Sequence, residues 1–210
     1  ELSLLSNFFP LKKEAAIIYN LARQARKKGL DPVDDVEILI AENMAQRVEG
    51  LISAVAPQIK GSGVAERIQK LEDEYGKLDW RVALTIALEV AQQKFWKFKD
   101  EREAIELGIK TGFAYATSGV VSSPLEGFVE LQFFKRKDNG KEYFCLYYSG
   151  PVRSAGGTGA SVSVLIADYL RKKFGYASYD PTDDEIKRSV IEIVDYHEKV
   201  TNLQYLPSEQ

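Results

Sequence analysis

FVELQFFKRKDNGKEYFCLYYSGPVRSAGGTGAS, residues 128–161, is the stretch that decides the fold. Two apolar, aromatic-rich runs, FVELQFFKRK at 128–137 and KEYFCLYY at 141–148, flank Asp138-Asn139-Gly140. Aromatic and β-branched residues fit a pleated surface, and Asn-Gly is the strongest short-range hairpin signal, so the stretch predicts a β-hairpin. The second strand runs into a glycine-rich loop, SGPVRSAGGTGAS at 149–161. A helix follows, with Val162, Leu165, Ile166 and Leu170 apolar and Gly175 at its end. A strand, a small-residue loop and a helix together present unpaired N–H groups and the positive end of a dipole to an anion. Gly156, Gly157 and Gly159 lack a Cβ and let a phosphate approach the backbone. Ser154, Thr158 and Ser161 add hydroxyl donors, and Arg153 adds a donor fork suited to phosphate. The dipole contributes only about 0.3–1 kcal/mol at an exposed site, enough to position a phosphate rather than hold it. The competing reading is a tight turn that packs helix against sheet.

Standard phosphate motifs fail here. A Walker loop needs Lys before Ser or Thr, and this loop has no Lys. A dinucleotide fingerprint needs a third glycine, where Gly157-Thr158-Gly159-Ala160-Ser161-Val162 has Val. Gly156-Gly157-Thr158-Gly159 matches the GxxG clamp of KH modules, but that clamp joins two helices and this loop follows a strand.

Upstream, the chain reads as helical. KKEAAIIYNLARQARKK at 12–28 spaces Ala15, Ile18, Ala22 and Ala25 on one face and stops at Gly29. AENMAQRVEGLISAV at 41–55 aligns Met44, Val48, Leu51 and Val55. A third helix starts at Ser62 or Gly63, turns Val64, Ile68, Leu71 and Tyr75 inward and ends at Gly76. Asp79 caps a helix extending through Phe98, and Asp100 with Glu103 opens a fifth to about Thr117. VVSSPLEG at 120–127 is a connector. Thr182-Asp183-Asp184-Glu185 is a capping box for a last helix to about Tyr205. The expected class is α+β and predominantly α-helical. Residues 1–118 form a helical part, and 119–210 form a hairpin packed on two C-terminal helices.

Composition narrows the chemistry. The 210 residues are 45% hydrophobic, ample for a packed core. One His and one Cys leave no internal disulfide, no Cys-rich zinc site and no common catalytic triad. No apolar run approaches the roughly 20 residues needed to span a bilayer, so a cytoplasmic protein with no membrane partner is expected. The chain opens on Glu1, which reads as a piece of a longer product. The net charge of −3 is unevenly spread: residues 127–175 carry eight basic and four acidic groups, and 176–210 carry three basic and eight acidic. A polyanion therefore has a mildly basic middle to meet, unless those charges only solvate exposed faces.

Other residues have structural readings beside functional ones. Phe133, Phe134, Tyr143, Phe144, Tyr147 and Tyr148 form either a base-stacking platform or, the favoured reading, a surface buried against helices. Lys135, Arg136, Lys137 and Lys141 at the hairpin tip either touch a DNA backbone or solvate the turn. Arg171, Lys172 and Lys173 complement a helix C-terminus, with phosphate contact as a secondary role. His197 reads as a hydrogen-bonded structural histidine and Cys145 as a buried small hydrophobe.

YYSGPVRSAGGTGASVSVLIADYLRKKFG at 147–175, continuing to VDYHEKVTNLQYLPSE at 194–209, resembles the large subunit of archaeal family D DNA polymerases near its N-terminus. VAERIQKLEDEYG at 64–76 and SGVVSSPLEG at 118–127 look like the same family. The resemblance implies a two-subunit replicative DNA polymerase whose small subunit bears a 3′→5′ exonuclease. It implies that carboxylate-held Mg²⁺ and Cys-rich zinc modules lie downstream, with none in this chain. No Asp-x-Asp spacing occurs here, and two-metal chemistry needs clustered carboxylates. The expectation is a non-catalytic, cofactor-free module that supports folding and assembly. Its partners are then the small exonuclease subunit, other domains of the large subunit, and DNA along Arg153, Ser154, Gly156, Gly157, Thr158 and Gly159. A stand-alone phosphate- or nucleotide-binding enzyme and a purely protein-docking module remain the alternatives.

Overall fold

The computed structural model describes residues 8–30, 41–117, 125, 127–150, 152 and 157–200. Among these, seven helices and one two-stranded antiparallel hairpin give the predominantly helical α+β fold expected from the sequence. No described helix is long and apolar enough to cross a membrane.

α1 spans Phe8–Lys27 and ends in a Schellman motif. Leu30 N–H reaches Ala25 O and Gly29 N–H reaches Arg26 O, with Gly29 at φ 68°. Among its described side chains, Ile17, Ile18 and Leu21 are all more than half exposed. α2, Met44–Ser53, is capped by Asn43, whose side chain accepts from Gln46 N–H at 2.9 Å. Its buried face is Ala45, Val48 and Ile52, one position round from the expected stripe, so Val55 is exposed. α3, Val64–Tyr75, has the expected limits at Gly63 and Gly76, both at φ 99°.

α4 begins as expected, with Asp79 accepting from Arg81 N–H at 2.8 Å. It spans Trp80–Ala91 and stops seven residues before Phe98. A second Schellman motif ends it: Lys94 N–H bonds Glu89 O and Gln93 N–H bonds Val90 O. Gln93, at φ 58°, takes the left-handed position that glycine usually fills, so neither Gly nor Pro signals the stop. Gln93 Oε1 then accepts from Phe98 N–H, and Phe95 and Phe98 return to the core.

α5, Glu101–Thr117, is capped as expected: Asp100 accepts from Glu103 N–H at 2.9 Å and Glu103 from Lys99 N–H at 2.7 Å. α4 and α5 approach closely because both contact faces carry small residues at four-residue spacing. Ala83, Ala87 and Ala91 on α4 meet Gly108 and Gly112 on α5. Val48, Ile52, Ile68, Leu71, Val82, Ile86 and Tyr115 fill the core around them.

The hairpin comprises β1, Phe128–Lys135, and β2, Glu142–Tyr148. Its turn is longer than a two-residue Asn-Gly loop. Arg136 N–H bonds Lys141 O at 2.8 Å, Gly140 N–H bonds Arg136 O, and Gly140 alone in the turn is left-handed, at φ 70°. α6, Gly157–Phe174, closes on Gly175, and α7, Asp183–Lys199, opens on the expected reciprocal capping box of Thr182 and Glu185. The continuation of α7 to Tyr205 falls outside the described residues.

Two compact units divide the chain. The first holds residues 1–130 and 146–170, the second 131–145 and 171–210. In the first, Tyr148 hydroxyl bonds Ser163 Oγ, tying β2 to α6. In the second, α7 buries none of its residues.

Candidate nucleic-acid interface

The glycine-rich loop meets its helix earlier than the sequence implies. α6 starts at Gly157, so Gly157, Thr158 and Gly159 form its first turn rather than loop. Gly157 has φ 41°, a conformation that strains any residue with a Cβ. Gly157 and Thr158 are exposed, and no acidic residue occupies the first turn. An anion there meets N–H donors without a competing carboxylate. At the start of α3 the same donors are already taken: Glu49 accepts from Gly61 N–H at 2.8 Å and Ala65 N–H at 2.9 Å. Glu49 also lines a cleft of about 540 Å³ with Gln46, Arg47, Lys60, Glu66 and Gln69.

One of the loop's hydroxyls, Ser161, and the next serine along, Ser163, turn into the helix. Ser161 Oγ donates to Gly157 O at 3.1 Å and Ser163 Oγ to Ala160 O at 2.7 Å. Thr158 remains as the exposed hydroxyl of the first turn. Arg153, Ser154 and Gly156, the other residues of this candidate site, lie outside the described residues.

In the second unit, the tip cations have different roles. The Arg136 fork donates to both oxygens of Asp138 at 2.8 and 2.6 Å, and its third nitrogen donates to Ser178 O at 2.8 Å. The hydrogen bonds from Arg136 hold the Asp138 carboxyl below the usual carboxylate range. Arg136 is thus a clasp between the turn and the segment after α6, not an open phosphate fork. Arg171 is similar: it donates to Tyr176 O at 2.9 Å, next to the Schellman bond from Tyr176 N–H to Arg171 O. Lys135, Lys137, Lys141 and Lys172 are exposed.

Four of the six hairpin aromatics sort into two rows, and none of the six is fully buried. Burial against helices, the favoured sequence reading, is met in part by Tyr148, half-buried with its hydroxyl on Ser163 of α6, and is corrected for Phe134 and Tyr147, which are exposed. A third extended segment explains the difference: Ala177 N–H bonds Glu142 O at 2.8 Å, and Tyr143 and Ala177 pair in parallel. Alternation along each strand then puts Phe133, Phe144 and Tyr176 on one face, with ring centroids 4.9–5.3 Å apart. Phe134, Tyr143 and Tyr179 lie in a row on the other, at 6.1 and 5.1 Å. Tyr179 hydroxyl donates to Glu185 Oε1 at 2.7 Å, a bond that, with some burial, pushes its ionisation up to about 12. Sequence reading missed Tyr179; its signal is the pair of aromatics in Tyr176-Ala177-Ser178-Tyr179 just after a helix stop. Cys145 is half-buried rather than buried.

No group of three His, Cys, Asp or Glu among the described residues is arranged to hold a metal ion. Glu89 is the buried carboxylate among the described residues, and cations neutralise it. It takes two hydrogen bonds from Arg67, at 2.8 and 3.0 Å, and one from Lys94 at 3.2 Å.

Residues 7–210 match the family model described as DNA polymerase II large subunit DP2, N-terminal. The chain is 52% identical over 200 residues to the DNA polymerase II large subunit of Nanoarchaeum equitans, covering 95% of this chain and 16% of that protein. It is 42% identical to the subunit of the same name from Thermococcus kodakarensis, covering 95% of this chain and 11% of that one. The Pyrococcus furiosus subunit is 41% identical, with 96% of this chain and 15% of that protein covered. The chain thus spans less than a fifth of the length of these relatives.

Proposed function

Because the chain belongs to the family of DNA polymerase II large subunit DP2, N-terminal, we propose that it is a non-catalytic module of a two-subunit DNA polymerase. In this reading the module helps the large subunit fold and assemble with its exonuclease-bearing small subunit, and it contacts the DNA backbone at the start of α6. Mg²⁺ and zinc belong to other parts of the large subunit.

The observation that carries the DNA contact is the first turn of α6. Gly157 and Thr158 are exposed and no acidic residue stands in that turn, and the first turn of a helix carries N–H donors without partners in the helix itself. Two or three backbone N–H groups and the Thr158 hydroxyl receive a phosphate oxygen, and the dipole favours its charge. Arg153, four residues upstream of Gly157, supplies the neutralising cation. Such contacts set register on a duplex and carry no sequence information.

Primer extension tests the non-catalytic part. The 210-residue chain alone, given Mg²⁺, primed template and dNTPs, yields no product. Template-dependent turnover overturns the reading.

A further inference from the structure

We propose that the face carrying Phe134, Tyr143 and Tyr179 is a single-stranded DNA platform, made of other residues than the start of α6. The three rings come from three adjacent extended segments and lie in one row across them, with centroids 6.1 and 5.1 Å apart. The two end rings are well exposed, Phe134 at 39% and Tyr179 at 49%. Exposed aromatic rings on neighbouring strands are a costly arrangement in water unless something stacks on them. Bases do so whatever their identity, because every base has a π-face.

Charge selects the occupant. The tip, residues 135–141, carries Lys135, Arg136, Lys137 and Lys141 against one carboxylate, Asp138. Asp138 is neutralised by Arg136, and Asp180 lies 3.9 Å from the same guanidinium. Lys137 and Lys141 are exposed beside the row and supply backbone charge. Lys141 lies two residues before Tyr143, on the same side of the strand by alternation, whereas Glu142 points to the opposite face. Glu185 is engaged by Tyr179 hydroxyl and Thr182 N–H, and Asp183 and Asp184 precede it in the first turn of α7. An apolar protein surface would leave these lysines unmatched. A single strand matches both features, with bases on the rings and phosphates on the lysines. The Tyr179–Glu185 bond fixes the third ring in place, so its ordering cost is already met before a strand arrives.

The choice of DNA over another single strand rests on the polymerase reading above; the ring geometry does not. The test is binding of fluorescein-labelled oligothymidylate to the full 210-residue chain, followed by anisotropy. Phe134→Ala and Tyr179→Ala each weaken binding about tenfold, Tyr179→Phe keeps most of it, and Lys141→Ala lowers the salt slope. A duplex of equal length binds more weakly. Equal affinity of wild type and both alanine variants overturns the proposal, as does a duplex bound as tightly as the single strand. Tighter binding of oligouridylate also overturns it and assigns the face to RNA. A dimer that Phe134→Ala dissolves overturns it in favour of a second copy. Should an alanine variant lose its cooperative melt, the wild type decides alone: the ring protons of Tyr143 and Tyr179 shift on titration with oligothymidylate, and unshifted rings overturn the proposal. Phe134→Ala and Tyr179→Ala are read on oligothymidylate affinity and Arg153→Ala on the salt slope of duplex binding, so failure here is separable from failure of the α6 contact.

Discussion

A Cβ on Gly108 would stand 2.5 Å from the carbonyl oxygen of Ala87 and 2.9 Å from the Cβ of Ala91. Backbone, not a flexible side chain, blocks the site. Gly108→Ala therefore forces α4 and α5 apart and costs about 1–3 kcal/mol as overpacking, despite alanine's better helix propensity. Gly159→Ala is the control: its Cβ meets only the Phe113 ring, at 4.0 Å. Thermal melts are expected to show a drop of several degrees for Gly108→Ala and no loss of stability for Gly159→Ala.

Glu89 is 8% exposed, and its two competing influences set an acid limb. Burial pushes its pKa up, but the hydrogen bonds from Arg67 and Lys94 outweigh it and hold the pKa below the ordinary 4.5. The folded state thus binds the proton less readily than the unfolded chain. The stability this supplies is fully present above about pH 4.5 and is lost as pH falls through the folded pKa. Glu89→Gln removes the charge at all pH values and costs about 1.5–3 kcal/mol at neutral pH. Urea midpoints between pH 7 and pH 3 are expected to fall less steeply for the variant than for wild type. Parallel curves contradict the assignment.

The buried Tyr115 hydroxyl accepts from Leu78 N–H at 2.9 Å and donates to Glu72 at 3.0 Å. Leu78 sits at φ 62°, a strained conformation that this bond helps hold. Tyr115→Phe strands a backbone donor and is expected to cost about 1–3 kcal/mol. Burial raises the phenol's pKa well above 10. Its contribution is present below the unfolded value and is lost as pH rises from about 10 toward the folded one. Denaturation midpoints from pH 8 to 11 are expected to converge for wild type and Tyr115→Phe at the alkaline end.

Much of the architecture was legible because its signals are local. Asp79, Asp100 and Thr182 cap where short polar side chains precede apolar runs, and Gly29, Gly76 and Gly175 mark helix ends. The early end of α4 was not, because Gln93 adopts the left-handed conformation without being glycine. The burial of α2 was read one position out, since the spacing fits two adjacent stripes and only packing chooses between them. Gly108 and Gly112 passed unnoticed: glycines inside a helix look like weak points until the alanines facing them are known. At the candidate site the sequence located the loop and the tip cations. It did not show that Arg136 and Arg171 are consumed by backbone carbonyls and Asp138, because those partners depend on the turn and on the path after α6.

The most direct test of the central claim is the salt dependence of duplex binding by the complete two-subunit polymerase, wild type against Arg153→Ala and Gly157→Val. The account predicts weaker binding for both variants. For Arg153→Ala it also predicts a log–log salt slope shallower by about 0.9, one phosphate contact. Unchanged affinity and slope, in variants that still assemble and melt like wild type, contradict a DNA contact at the start of α6.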